Sequence, residues 1–128
     1  MKVRKNYSKA VRDCVNKEFQ AFKKEEISKS VENIFDDCYM IHFYKEMQNY
    51  LCYSVEDVDG LEKIHYQALY TERGNIISSL YDYYIKYESA SINTWGEIHD
   101  MIRAYNQRYH KKIVQGGMEI EESNSFYG

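Results

Sequence analysis

The run IISSLYDYYIKY, from Ile76 to Tyr87, places the tightest constraint on what this chain can fold into. Read at 3.6 residues per turn, Ile76, Ile77, Leu80, Tyr81, Tyr83, Tyr84, Ile85 and Tyr87 cover most of a helix circumference. Only Asn75, Ser78, Ser79, Asp82, Lys86 and Ser89 interrupt them, as a narrow polar stripe. Such a helix needs cover on nearly every side, so it is expected at the centre of a bundle. Tyr84 follows Ile77 and Leu80 and is expected in the core. Tyr83 and Tyr87 flank the stripe and are the rings expected to reach a partner. Gly74 stands just before the run, and glycine inside a helix costs about 1 kcal/mol against alanine, so a boundary is expected near Arg73 to Asn75.

The rest of the chain supplies helices to surround that centre. There is no proline and there are six glycines in 128 residues, a length that suits one domain spanning residues 1–128. Val3, Tyr7, Val11, Cys14, Val15, Phe19 and Phe22 form the apolar face of a first helix. After KKEE the pattern restarts as Ile27, Val31, Ile34, Phe35, Cys38, Ile41, Tyr44, Met47 and Leu51, with Ser28 or Ser30 as its cap. Ser54 and Asp57 open a third helix that continues through Leu61, Ile64, His65, Ala68 and Leu69. The central helix is the fourth. Thr94 and Glu97, at capping-box spacing, start a fifth, with Ile98, Met101, Ile102, Tyr105 and Tyr109 on one face and an end near Lys112. The expected fold is therefore all-α, a compact bundle of about five helices. Gly116-Gly117 adds a candidate type I′ hairpin that sets Ile113 opposite Ile120 and Lys112 opposite Glu121; the alternative for residues 118–128 is a frayed acidic tail.

Charge is segregated along the sequence. Residues 1–24 carry eight Lys/Arg against two Asp/Glu, whereas residues 25–62 carry two against ten. Neighbouring helices of opposite charge account for this by internal pairing; the other reading is two surfaces of opposite sign offered to partners. No stretch is apolar enough to cross a bilayer, and the polar start lacks a signal-peptide core, so no membrane association and a cytoplasmic location are expected. Cys14, Cys38 and Cys52 have long, irregular spacings and read as reduced core thiols.

Catalytic signatures are missing from the sequence: there is no G-x-S-x-G, no phosphate-binding loop and no dinucleotide fingerprint. Cys38, His42 and Glu46 at i, i+4 and i+8 align a thiol, an imidazole and a carboxylate, but a zinc shell would need His65 or Cys52 as well. The expectation is no catalytic residue, no metal and no cofactor. Binding is the better use of these residues. Glu32, Asp36, Asp37, Glu46, Glu56 and Asp57, with Tyr83 and Tyr87, are the candidate protein-binding residues, an acidic surface fit to occupy a partner's nucleic-acid channel. The alternative is a DNA-binding regulator that uses Lys5, Lys9, Arg12, Arg103, Arg108, Lys111 and Lys112, with Tyr105 and Tyr109 interleaved for stacking.

The stretches EEISKSVENIFDDCYMIHFYKEM and LYDYYIKYESASINTWGEIHDMI, within a proline-free chain rich in Tyr, Glu, Lys and Asn, resemble small helical proteins of phages and integrative elements of Gram-positive bacteria. That set includes inhibitors of host defence such as anti-CRISPR proteins. The resemblance implies a binding protein and carries over no individual residue; the acidic surface is what points to a nucleic-acid-handling host protein as the partner.

Overall fold

A computed structural model describes residues 7–53, 61–87 and 92–115. Among them are six α-helices: α1 (Tyr7–Ile27), α2 (Val31–Asp36), α3 (Cys38–Tyr53), α4 (Leu61–Tyr70), α5 (Ile76–Tyr87) and α6 (Trp95–Tyr109). A 3-10 turn, Arg73–Asn75, links α4 to α5. The all-α bundle read from periodicity is the fold.

The central position of α5 follows as expected. It packs against α1, α3 and α6, and Ile76, Ile77 and Leu80 are fully buried. Around them close Val11 and Val15 of α1, Phe43, Met47 and Leu51 of α3, Leu69 of α4, and Ile98 and Met101 of α6. Aromatic pairs join the layers: Phe22 of α1 stacks on Tyr44 of α3 at 3.9 Å between centroids and 11° between planes.

Two termini show how side chains satisfy the helix ends. Thr94 forms the expected capping box on α6, its hydroxyl accepting from the Glu97 N–H while the Glu97 carboxylate accepts from the Thr94 N–H. The start of α5 has a cap that comes from afar. Glu18, half-buried on α1, accepts from the backbone N–H of Ile77 at 2.7 Å and of Ser78 at 2.8 Å, one on each carboxylate oxygen. Two orphan donors and the positive end of the helix dipole are thereby met by a residue some sixty positions earlier. Burial pushes the Glu18 carboxyl above its ordinary value, against the lowering by those two hydrogen bonds.

Several expectations are corrected. Ile27, read as the first apolar residue of the second helix, ends the first: Lys23, Lys24 and Glu25 are good helix formers, and α1 runs on to Ile27. The second helix is not continuous. It breaks at Asp37, whose N–H bonds the carbonyls of both Asn33 and Ile34, separating α2 from α3 and raising the helix count to six. Near Gly74 the boundary is where it was expected, yet the residue with positive φ is Arg73 (φ 47°). Its guanidinium lies over the Tyr70 ring at 5.4 Å. Residues 111–115 are helical, with the Val114 N–H bonded to the His110 carbonyl, so the first arm of the expected hairpin is a helical turn. Its second arm, and the Ser54/Asp57 start of the third helix, lie outside the described residues.

Candidate protein-binding surface

The most exposed apolar side chains lie where the second helix was expected to bury its face. Ile27, Val31, Phe35 and Tyr39 are 67%, 84%, 75% and 80% exposed. They stand every fourth residue in the sequence; Val31 and Phe35 share one side of α2, while Ile27 ends α1 and Tyr39 lies at the start of α3. Isolated surface hydrophobes are ordinary, whereas four large ones within thirteen residues make this segment the candidate surface. Ile27, Val31, Phe35 and Cys38 are thus corrected from core to surface. The cause is the break at Asp37: α2 rests on α3 and buries none of its own residues, while Phe43 and Met47 of α3 point into the bundle.

What holds this segment in place is polar. Ser30 caps α2 by accepting from the Asn33 N–H at 3.2 Å. Lys29 bridges the connection, its ammonium 2.8 Å from Glu26 at the end of α1 and 2.8 Å from Asp37 at the α2–α3 break. That pairing holds the Asp37 carboxyl below the usual carboxylate range. Of the acidic residues singled out in the sequence, Glu32 and Asp36 are exposed on α2 beside the apolar stripe, Asp37 is taken up by Lys29, and Glu46 is half-buried on α3. Glu56 and Asp57 lie outside the described residues. Neutralisation in this acidic stretch comes from Lys29, and the α1 pair Lys9–Asp13, at 4.0 Å, is local to its own helix.

The tyrosines divide differently from expectation. Tyr83 is 9% exposed and packs edge-on against Tyr105 and Tyr109, so it belongs to the core and cannot reach a partner. Tyr87 is half-buried beneath the Arg108 guanidinium, 4.1 Å from the ring centroid. Tyr84 is half-buried as well, at 5.2 Å from Phe43. Tyr39 is the fully presented ring, and the sequence reading did not select it. Its signal was the i+4 series with Ile27, Val31 and Phe35, a second apolar stripe beside the one that reaches the core.

Next to Tyr39 the surface is concave. Between α3 and α5 lies a cavity of about 390 Å³, walled by the rings of Tyr39, Phe43, Tyr81 and Tyr84. Burial first, then the Asp37 and Asp82 carboxylates, push the Tyr81 phenol up.

The basic residues are arranged less favourably for nucleic acid. Arg103, Arg108, Lys111 and Lys112 are exposed, but Arg12 is half-buried, and Lys5 lies outside the described residues. Tyr105 is buried with its hydroxyl donating to Glu72 at 2.7 Å. Tyr109 is 47% exposed but has one side against Tyr83 and Tyr105, so of the two rings only part of Tyr109 is open to a base.

Glu72 also collects His110 Nε2 at 2.7 Å and the Ser79 hydroxyl at 3.2 Å, and Thr71 Oγ1 lies 3.5 Å from His110 Nδ1. The order hydroxyl, imidazole, carboxylate has the outline of a nucleophile triad. However, the Thr71 hydroxyl donates to the Ala68 carbonyl at 2.7 Å, which takes the proton a base would have to remove. The cluster ties the α4–α5 connection to the end of α6. Among the described residues no three His, Cys, Asp or Glu side chains converge to hold a metal, and Cys38 and His42 are both exposed.

No protein-family profile, curated protein or solved structure gives a match to this chain. The functional reading therefore rests on the surface itself.

Proposed function

We propose that this protein acts by binding another protein, without catalysis, through the face formed by Ile27, Val31, Phe35 and Tyr39 together with Glu32 and Asp36. The observation that carries the reading is the run of four large side chains, each about two thirds or more exposed, on a segment tied to its neighbours by Lys29 and capped by Ser30. An apolar centre bordered by charge is the usual anatomy of an interface. The acidic border selects a basic partner surface. The partner class we propose is a host nucleic-acid-handling protein, such as a defence nuclease, whose phosphate-binding surface Glu32 and Asp36 would face.

Affinity capture from the source cells tests this, comparing wild type with the double variants V31D/F35D, E32K/D36K and R108E/K112E. All six positions are exposed, so the fold should persist in each. The expected result is a protein retained by wild type and by R108E/K112E, lost by V31D/F35D, and captured more weakly by E32K/D36K, whose lysines would face a basic surface. Equal capture by V31D/F35D would reject the surface. Salt-dependent binding to nonspecific DNA that R108E/K112E abolishes would establish the regulator reading instead.

A further inference from the structure

The cavity between α3 and α5 has a chemistry narrow enough to name what it takes. Its size falls within the usual range for small-group pockets, and four of its walls are the aromatic rings Tyr39, Phe43, Tyr81 and Tyr84. The Phe43 centroid lies 5.2 Å from those of both Tyr81 and Tyr84, at 66° and 40° between planes, which makes a cluster of differently inclined rings. Aromatic faces carry negative potential and attract cations.

Elsewhere the molecule seats its own cations on rings: Arg108 over Tyr87 at 4.1 Å, Arg73 over Tyr70 and Lys45 over Phe19, each of the latter at 5.4 Å. Among the described residues no Lys or Arg occupies the four rings of the cavity or lines it. The Asp82 carboxylate is near enough to act on the Tyr81 phenol, and Asp37, which also acts on it, is paired with Lys29, so the negative field at the cavity comes mainly from Asp82. Neither carboxylate lines the cavity. A strongly hydrated ammonium would lose its water there without an ion pair in return, whereas the planar, weakly hydrated guanidinium can stack on a ring. Tyr39 belongs to both the cavity and the apolar stripe, which puts the cavity at the end of the docking face.

We propose that this pocket receives the guanidinium of an arginine carried by the protein that docks on the α2 face. The source of the arginine rests on the protein-binding reading; the pocket's preference for a guanidinium does not.

The test is titration of the ¹⁵N-labelled chain with N-acetyl-arginine amide, N-acetyl-norleucine amide and choline, at low salt and about pH 8. The arginine probe should shift the amides of Tyr39, His42 and Ile92 in a saturable way, with an affinity about fivefold above that of the norleucine probe, the margin that a moderate cation–π contact supplies. Tyr39→Leu should abolish that margin and Tyr39→Phe should keep it; Tyr39 is exposed, so both variants should fold. Equal or tighter binding of norleucine, no saturable shift, or an unchanged margin in Tyr39→Leu would overturn the proposal. Choline binding more tightly than arginine would overturn the assignment to arginine in favour of a free quaternary ammonium. If the arginine probe fails while V31D/F35D still loses its captured partner, the pocket proposal falls and the docking surface stands. If the probe binds and capture survives V31D/F35D, the docking surface falls and the pocket remains a guanidinium site.

Discussion

Truncating Leu80 to alanine should lower the stability of the fold by about 3 kcal/mol, within the range measured for large-to-small changes in rigid cores. Leu80 is fully buried near the middle of α5, the helix that α1, α3 and α6 enclose. A void at that point borders three helices, each held by further contacts, so none can move far to fill it. The loss should appear in urea denaturation as a lower midpoint with an unchanged slope, since the surface exposed on unfolding stays the same. The neighbouring variant Ile85→Ala supplies the contrast. Ile85 is 55% exposed on the same helix, and its truncation should change stability by less than about 1 kcal/mol. A loss below about 1 kcal/mol for Leu80→Ala would mean that α5 is not the centre of the bundle.

Replacing Glu18 with alanine should cost about 2 kcal/mol, although the residue lies on α1 and the damage falls on α5. The substitution leaves the N–H groups of Ile77 and Ser78 without acceptors at a partly buried helix start, and each buried donor left unsatisfied costs about 1–3 kcal/mol. Part of that cost is offset because the wild type buries the carboxylate, which is why the estimate is below the sum for two such donors. The pH dependence has a definite sign. Because the folded pKa of Glu18 lies above the ordinary 4.5, the folded state holds the proton more tightly than the unfolded one. Its contribution is therefore fully present below pH 4.5 and declines as pH rises through the folded value. The difference between wild type and Glu18→Ala should be larger at pH 4.5 than at pH 7. A difference that grew towards pH 7 would contradict the burial of this side chain.

These two residues also show what the sequence could and could not reveal. Leu80 was legible because burial on a helix follows from a local repeat: Ile76, Ile77, Leu80, Tyr83 and Tyr84 announce an apolar circumference without reference to the rest of the chain. The Thr94–Glu97 box was legible for the same reason, since both partners lie within one turn. Glu18 was not, because its partners are about sixty residues away and no local pattern distinguishes it from Lys17 or Gln20 as a surface side chain.

The candidate site failed to be read for a subtler reason. Around Ile27 to Ile41 the apolar residues occupy two stripes, and a helix that is apolar over so much of its girth can be either central or two-faced. In α5 the neighbouring helices cover Ile76, Ile77, Leu80 and Tyr83 and leave Asp82, Ile85 and Lys86 outside. In α2 they bury no residue, because the break at Asp37 and the Lys29 bridge turn the segment so that one stripe faces solvent. Tyr83 illustrates the converse: it borders a polar stripe, yet α6 closes over it with Tyr105 and Tyr109. The placement of one helix on another decided both cases, and that information lies between elements.

The central claim, that the α2 face is open in the free protein and covered by a partner, is tested most directly by thiol alkylation of the captured complex. Cys38 is exposed at the start of α3, beside Tyr39 in the sequence, while Cys52 is buried. Burial pushes the Cys52 thiol up, which further suppresses its reactivity. In the free protein Cys38 should alkylate readily under native conditions, and Cys52 only after unfolding. In the complex Cys38 should be strongly protected. Cys38 reacting at the same rate with the partner bound as without it would show that the partner sits elsewhere and that the exposed stripe of Ile27, Val31, Phe35 and Tyr39 is not the docking face.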